Sequence, residues 1–341
     1  MPSSDQEATA GALVSVIIPC YNAGRWLRES VDSCLAQSYH SIEVIVVDDG
    51  STDDSPDILR SYGDRIQFVR QSHSNGNRAR NAGISLSQGE YLQFLDADDY
   101  LLPEKVAAQV ALLEATNADA VYCDYAFLTC RDGAPCLGPF SAVNVQPDLL
   151  TALLRGCWIP PHALLWRRKA IEALGGWDEA FFAAQDYDLM LRAALRGLRL
   201  HYQPGHWAVV RRYGNLTVST SDPLRRLQYR ARALEKVERQ LAADETLRER
   251  YASELARAYF RTAREWYPLD RRAAAQLSAR SLSLDPAFAP RHSLAYDAAF
   301  GLLGFAPTEA LVQAWRRLRR GLGKIKGWSS ELWQRRQPPG C

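Results

Sequence analysis

Apolar residues recur along the first hundred positions in two alternating rhythms. Short runs rich in Val, Ile, Phe and Tyr, bounded by polar or turn residues, cover 13–19, 42–47, 65–69 and 91–95 and predict strands. Between them, 25–37, 55–62 and 78–87 carry apolar positions at helical spacing. Strands separated by helices imply right-handed crossovers and a mainly parallel sheet covered on both faces. The unbroken apolar run at 44–47 fits a strand buried on both sides. Residues 102–115 predict a further helix with Pro103 in its first turn, 120–128 a further strand, and the Gly- and Pro-rich 131–147 a loop. Helices are expected over 170–174 and 186–195, with stops at Gly175-Gly176 and Gly197. After Pro223 the pattern is almost wholly helical, without a second copy at fixed period that would signal a repeat array. The expected organisation is a polar tail (1–12), an α/β domain (13–222) and a helical region (223–341).

Composition adds limits. With 341 residues, 47% of them hydrophobic, the chain can bury a sizeable core. No apolar run approaches the roughly 18 residues of a membrane-spanning helix. The polar, acidic start lacks the order of a secretory signal, so a cytoplasmic protein is expected. Seven cysteines without zinc-site spacing predict free or buried thiols. Charge is unevenly spread. Of 41 Lys+Arg and 39 Asp+Glu, residues 223–341 hold 23 and 12, leaving 18 and 27 to the acidic part upstream.

Ligands of open parallel sheets bind at the carboxyl ends of strands. Three polar clusters fall there: Pro19-Cys20-Tyr21-Asn22, Asp48-Asp49-Gly50-Ser51 and Asp96-Ala97-Asp98-Asp99. At least four carboxylates would share one crevice, which is unfavourable without positive compensation. Mg²⁺ or Mn²⁺ with a diphosphate supplies it, since these ions favour oxygen ligands. Taken alone, each cluster also fits a solvated turn, and Asp99 fits a helix cap ahead of Pro103 and Glu104.

Four motifs in order carry a resemblance: Val14-Ser15-Val16-Ile17-Ile18-Pro19-x-Tyr21-Asn22; Val46-Val47-Asp48-Asp49-Gly50-Ser51-Thr52-Asp53; Ala79-Arg80-Asn81-x-Gly83-Ile84; and Gly89-Glu90-Tyr91-x-x-Phe94-Leu95-Asp96-Ala97-Asp98-Asp99. Gly175-Gly176-Trp177-Asp178-Glu179 and Gln185-Asp186-x-Asp188-Leu189-x-Leu191-Arg192 follow. Over roughly 13–220 the chain resembles glycosyltransferase family 2. The resemblance implies the Rossmann-like GT-A nucleotide-sugar-binding fold, an inverting transferase and a role in building cell-surface polysaccharide, lipopolysaccharide or glycoconjugate. It implies a UDP- or dTDP-linked donor bound by Pro19, Tyr21, Asp49, Arg80, Asp96, Ala97 and Asp98. Tyr21 would stack on the base and Asp49 accept a hydrogen bond from it. Asp96 would approach ribose and diphosphate, and Asp98, with Asp96, would hold the divalent Mn²⁺ or Mg²⁺. Asp186 is the expected base that takes the acceptor proton, favoured by its place at a helix start. Trp177, Gln185 and Asp188 are acceptor-site candidates, with Trp158, Pro160 and Pro161 as further lining of that subsite. Alternatives stand beside several of these: an ion pair with Asp48 or Asp49 for Arg80, core packing for Trp177 and Trp158, and helix support for Asp188.

The chain departs from the pattern at two positions. Gln185 stands where the family usually has Glu, and Arg211-Arg212-Tyr213-Gly214 where many relatives carry a His that helps bind metal or diphosphate, which leaves two readings: weak metal affinity, or Arg211 and Arg212 holding the diphosphate instead. These departures keep open a catalytically silent nucleotide-sugar-binding module, and a nucleotidyltransferase more distantly. His162 and His206 read as structural rather than as metal ligands. No G-x-G-x-x-G follows the first strand, which excludes a dehydrogenase.

In the tail, Leu311, Val312, Trp315, Leu318, Leu322 and Ile325 recur at helical spacing among Arg316, Arg317, Arg319, Arg320, Lys324 and Lys326. That pattern fits peripheral contact with the inner face of a membrane, or a terminal helix docked on the protein's own core. The expected partners are a nucleotide sugar and a saccharide or lipid-linked acceptor, with no nucleic acid.

Overall fold

The computed structural model describes residues 11–131, 134–141, 143, 145, 148–212 and 222–334, with 131 and 320–334 described in backbone only. In chain order these form β1 (Val14–Cys20), α1 (Gly24–Leu35), β2 (Ile42–Asp48), α2 (Ser55–Arg60), β3 (Gln67–Arg70), α3 (Gly76–Leu86), β4 (Tyr91–Phe94) and β5 (Tyr100–Leu101). Then come α4 (Lys105–Ala115), β6 (Ala120–Arg131), β7 (Ala134–Ser141), α5 (Leu149–Arg155), β8 (Leu164–Arg167), α6 (Arg168–Ala173), α7 (Gln185–Leu195) and β9 (Leu200–Arg211). Helices α8 (Pro223–Leu241), α9 (Glu245–Trp266), α10 (Arg271–Leu284), α11 (Leu294–Leu303) and α12 (Phe305–Gln334) follow.

The strands make one sheet in the order β3-β2-β1-β4-β8-β6-β9-β5, with β7 paired to β6. Strands β3, β2, β1 and β4 are parallel, so their carboxyl ends lie along one edge. Beyond them β8 runs antiparallel to both β4 and β6, whereas β6 and β9 are parallel. The sheet is therefore mixed, and parallel where the candidate chemistry sits. The uninterrupted apolar run of β2 serves two faces. Val44 and Val46 pack with Leu27 and Val31 of α1, and Ile45 and Val47 pack with Ala79 of α3.

Two expectations need correction. The segment expected as a loop contains β7, whose alternating exposure marks a strand at the sheet margin, where Pro135 and Pro139 remove few needed donors. Pro103 is not in the first turn of α4, which starts at Lys105 after Glu104. The glycine stops are found as expected: Gly175, Gly176 and Gly197 have φ of 74°, 73° and 67°, and Leu198 N–H closes the end of α7 on Ala193 O at 3.1 Å.

The chain divides into two compact units at Gln240/Leu241. Most of α8 thus belongs to the first unit, where Lys236 pairs with Asp178 and Asp188. In the second unit Phe260 is ringed by Phe288, Tyr296, Phe300 and Phe305. Glu309 there is buried, accepting from Arg264 and from the Tyr296 hydroxyl, each at 2.6 Å.

Gly83 shows why a motif glycine is needed. A methyl group there would collide with the fully buried Ile17 side chain, so α3 can lie on β1 only without one. Gly83→Val is expected to destabilise the fold by about 2 kcal/mol through overpacking, read as a lower urea midpoint with unchanged slope.

Candidate active site

The ends of β1 and β2 are tied into one loop system by their own polar side chains. Asn22, in the left-handed region at φ 49°, donates its backbone N–H to Ser51 Oγ at 2.9 Å. Its side-chain oxygen accepts from Thr52 N–H at 2.8 Å. Asp48 is buried, accepts from Ser51 N–H at 2.9 Å and faces Arg70 Nε at 3.2 Å. Asp49 is 3% exposed and accepts from Gln71 Nε2 at 2.6 Å and Ser74 N–H at 3.1 Å. His73 lies with Nδ1 3.0 Å from the Asp49 carbonyl oxygen, and its ring stacks on Tyr21 at 4.0 Å. Tyr21 and Asp49 thus belong to one cluster joined by His73. Gln71 and His73 complete it and were missed in the sequence; applying the strand-end rule to β3 would have found both. Pro19, half-buried in register with Val47, and the buried Ala97 offer backbone rather than side-chain chemistry.

After β4 the acidic cluster splits into distinct environments. Arg80 pairs with neither Asp48 nor Asp49; its Nη2 donates to Asp96 at 2.6 Å. The same guanidinium donates from Nη1 to Gln185 Oε1 at 3.0 Å and Asn77 Oδ1 at 3.2 Å, and lies 4.5 Å over the Trp177 ring. Trp177 is 2% exposed, its backbone N–H donates to Asn81 Oδ1 at 2.9 Å, and its ring meets Phe94 edge-on. It is therefore the floor under Arg80, not an acceptor surface. Gln185 preserves the link to Arg80 that a glutamate would make, without a second carboxylate competing with Asp96.

Asp98 is half-buried, and its carboxyl is pushed up to about 6, first by burial and then by the neighbouring Asp96. Asp99 is also raised well above the usual range, by burial first and then by Asp98 and Asp96. It is not a helix cap: its Oδ1 accepts from Arg211 N–H at 2.6 Å and its Oδ2 lies 3.4 Å from His162 Nδ1. Burial drops the fully buried His162 to about 4, so it is neutral at pH 7 and does not offset the carboxyls. Arg211 is buried: it donates to the Asp98 carbonyl at 2.8 Å, pairs with Glu29 and stacks 4.1 Å over Trp26. Its task is to strap β9 to the acidic turn. The exposed Arg212 lies over Phe127 and Trp158 at 4.9 and 5.5 Å. Tyr213 lies outside the described residues. Among the described residues no three His, Cys, Asp or Glu side chains form a metal cage.

Asp186 enters on α7, just after Ala184 at a left-handed φ of 51°. Its Oδ2 accepts the Trp158 indole N–H and its Oδ1 accepts Tyr187 N–H at 2.9 Å. Burial raises its carboxyl, and the Trp158 hydrogen bond opposes that rise. Trp158 is itself held edge-on by Tyr125 at 5.3 Å and parallel to Phe127 at 6.3 Å. Asp188, an acceptor-site candidate, has a structural task instead. It is 2% exposed, with one oxygen 2.8 Å from Arg192 Nε and the other on Lys236.

Residues 15–128 match the model of Glycosyl transferase family 2, and 91–260 that of Glycosyl transferase family group 2. The chain is 30% identical over 190 residues to the UDP-Glc:alpha-D-GlcNAc-diphosphoundecaprenol beta-1,3-glucosyltransferase WfaP of Escherichia coli, a match covering 55% of this chain and 72% of that protein. The chain belongs to glycosyltransferase family 2. An uncharacterized glycosyltransferase of Rickettsia prowazekii is 34% identical over 189 residues, or 53% of this chain; the match spans only 58% of that relative's length. The crystal structure of Staphylococcus aureus TarS 1–349 with UDP-GlcNAc superposes with a TM-score of 0.64 at 17% identity, covering 89% of this family 2 chain and 92% of TarS. That likeness bears out the GT-A fold.

The elevated Asp98 carboxyl has a stability consequence. Its folded value of about 6 exceeds the ordinary 3.8, so its ionised form destabilises the fold above pH 6, and the penalty is relieved as pH falls toward 4. Asp98→Asn is expected to raise stability by on the order of 1 kcal/mol at pH 7.5. In thermal melts the gain over wild type should shrink between pH 6 and pH 4.

Proposed function

We propose that this chain transfers a sugar from a UDP- or dTDP-linked donor to an acceptor hydroxyl with inversion at the anomeric carbon. The sheet together with α8, residues 13–240, forms the catalytic unit, and the helices beyond are a separate region. The observation that carries the reading is the line Asp96–Arg80–Gln185, which sets Asp186 beside the acidic turn at the carboxyl ends of the parallel strands. Tyr21 offers an aromatic face to the base, and Asp49, with about four acceptor directions on its two oxygens, takes the base N–H alongside its own donors. WfaP, as its name states, uses a UDP-linked sugar and a diphosphoundecaprenol-linked acceptor. By analogy we assign here a saccharide or lipid-linked acceptor and a place in cell-surface polysaccharide or glycoconjugate assembly.

In the reaction, Asp186 takes the acceptor proton while that oxygen bonds to the anomeric carbon, and the bond from that carbon to the diphosphate breaks on the opposite face. Trp158 fixes one Asp186 oxygen, turning the carboxylate toward a single direction. The Asp98 and Asp96 carboxyls repel one another and offer hard oxygen ligands, so they would hold Mn²⁺ or Mg²⁺. Such an ion would supply neutralisation of the charge on the departing diphosphate.

The test is nucleoside diphosphate release from a panel of nucleotide sugars with Mn²⁺, using saccharide and lipid-diphosphate-linked acceptors. Wild type is expected to turn over and to give product of inverted anomeric configuration, and Asp186→Asn to lose about 10³-fold in kcat. Donor binding without turnover across the panel would instead identify a silent binding module. Trp158→Phe keeps the ring but removes a hydrogen bond to the ionised carboxylate, so Asp186 should protonate more readily. The acid limb of the kcat/KM profile should therefore move to higher pH.

A further inference from the structure

Helix α12 changes character after its first turn. Phe305, Thr308 and Glu309 are buried, and Tyr267 donates its hydroxyl to the Ala306 carbonyl at 2.9 Å. Beyond Glu309, Val312 and Gln313 stay half-buried while the neighbouring apolar positions open to solvent. Leu311, Trp315 and Leu318 are 57%, 61% and 62% exposed. Positions i, i+4 and i+7 share one helix face, and the sequence continues the spacing at Leu322 and Ile325. Six basic residues (Arg316, Arg317, Arg319, Arg320, Lys324 and Lys326) fall outside that apolar arc, and no acidic residue occurs from Ala310 to Ser330. Leu302 and Leu303, directly ahead of Gly304, are also exposed.

We propose that α12 beyond Glu309 is a docking face for an anionic lipid surface. The Leu and Trp arc enters the boundary between headgroups and acyl chains, and the basic residues remain among lipid phosphates. Charge complementarity selects this occupant. A second copy would set six cations against six cations, and an RNA would satisfy the cations while leaving the Leu–Trp arc in water. A lipid bilayer with acidic headgroups satisfies both faces of the same helix. No helix of the described residues is long and apolar enough to cross a membrane, so the contact is peripheral. The inference does not depend on the transferase reading.

The full chain is sedimented with phosphatidylcholine vesicles and with vesicles containing one-third phosphatidylglycerol, at low and physiological salt. Wild type should pellet with the anionic vesicles and remain in the supernatant with the neutral ones. Replacing Leu311, Trp315 and Leu318 together by Gln, which keeps helix propensity, should abolish pelleting. Arg316→Gln/Arg317→Gln/Arg319→Gln should weaken it by roughly a hundredfold. Circular dichroism and UDP-sugar binding in solution, expected to be unchanged in both variants, separate lost docking from lost fold and from failure of the donor reading. Failure of wild type to bind, or binding that survives both triple substitutions, overturns the proposal. So does a concentration-dependent dimer that forms without vesicles and is lost with the Gln variant, which would make the arc a self-association face.

Discussion

One buried cation organises the candidate site. The Arg80 guanidinium joins Asp96 after β4, Gln185 at the start of α7, and its own helix through Asn77, with Trp177 beneath it. A cation removed from water is tolerated only when paired and hydrogen-bonded, so these segments are held to one geometry by the need to satisfy it. Arginine suits the task because its planar fork presents several donors and an aromatic-stacking face at once. A lysine would reach Asp96 as a point charge and lose the rest.

Around that centre the site keeps an excess of carboxyls that stability alone would not choose. Asp98 and Asp99 are held above their ordinary range, His162 is neutral, and Arg211 is shared with the Asp98 carbonyl and Glu29. Hydrogen bonds from Arg211 to Asp99 and to the Asp98 carbonyl strap the turn to β9. On the proposed function, a positively charged or metal-bearing ligand would relieve the repulsion among these carboxyls.

Much of this was legible in the chain. The alternation of apolar runs located β1 to β4 and the helices between them, because both faces of those strands are buried and their residues say so. Tyr21, Asp49, Asp96, Asp98 and Asp186 were readable as strand-end or helix-start polar residues. Other features were hidden for physical reasons. Strands β7 and β9 contain Pro and Gly at positions that break the period, and β8 is only four residues long. Whether Trp177 and Asp188 face a cleft or the core depends on which element covers them, and helical spacing carries no such information. Lys236, the partner of Asp188, lies 48 positions away on α8.

That last contact redraws where the catalytic part of the chain ends. The hydrophobic pattern changes near Pro223, yet Asp188, buried two residues beyond the base candidate Asp186, relies on a lysine from the helix that follows. An excised fragment stopping at the change of pattern would expose the underside of α7 and leave a buried carboxylate with Arg192 alone. A minimal autonomous fragment has to run through Gln240, and sequence insertions ahead of α8 are tolerable only if that helix can still return to α7.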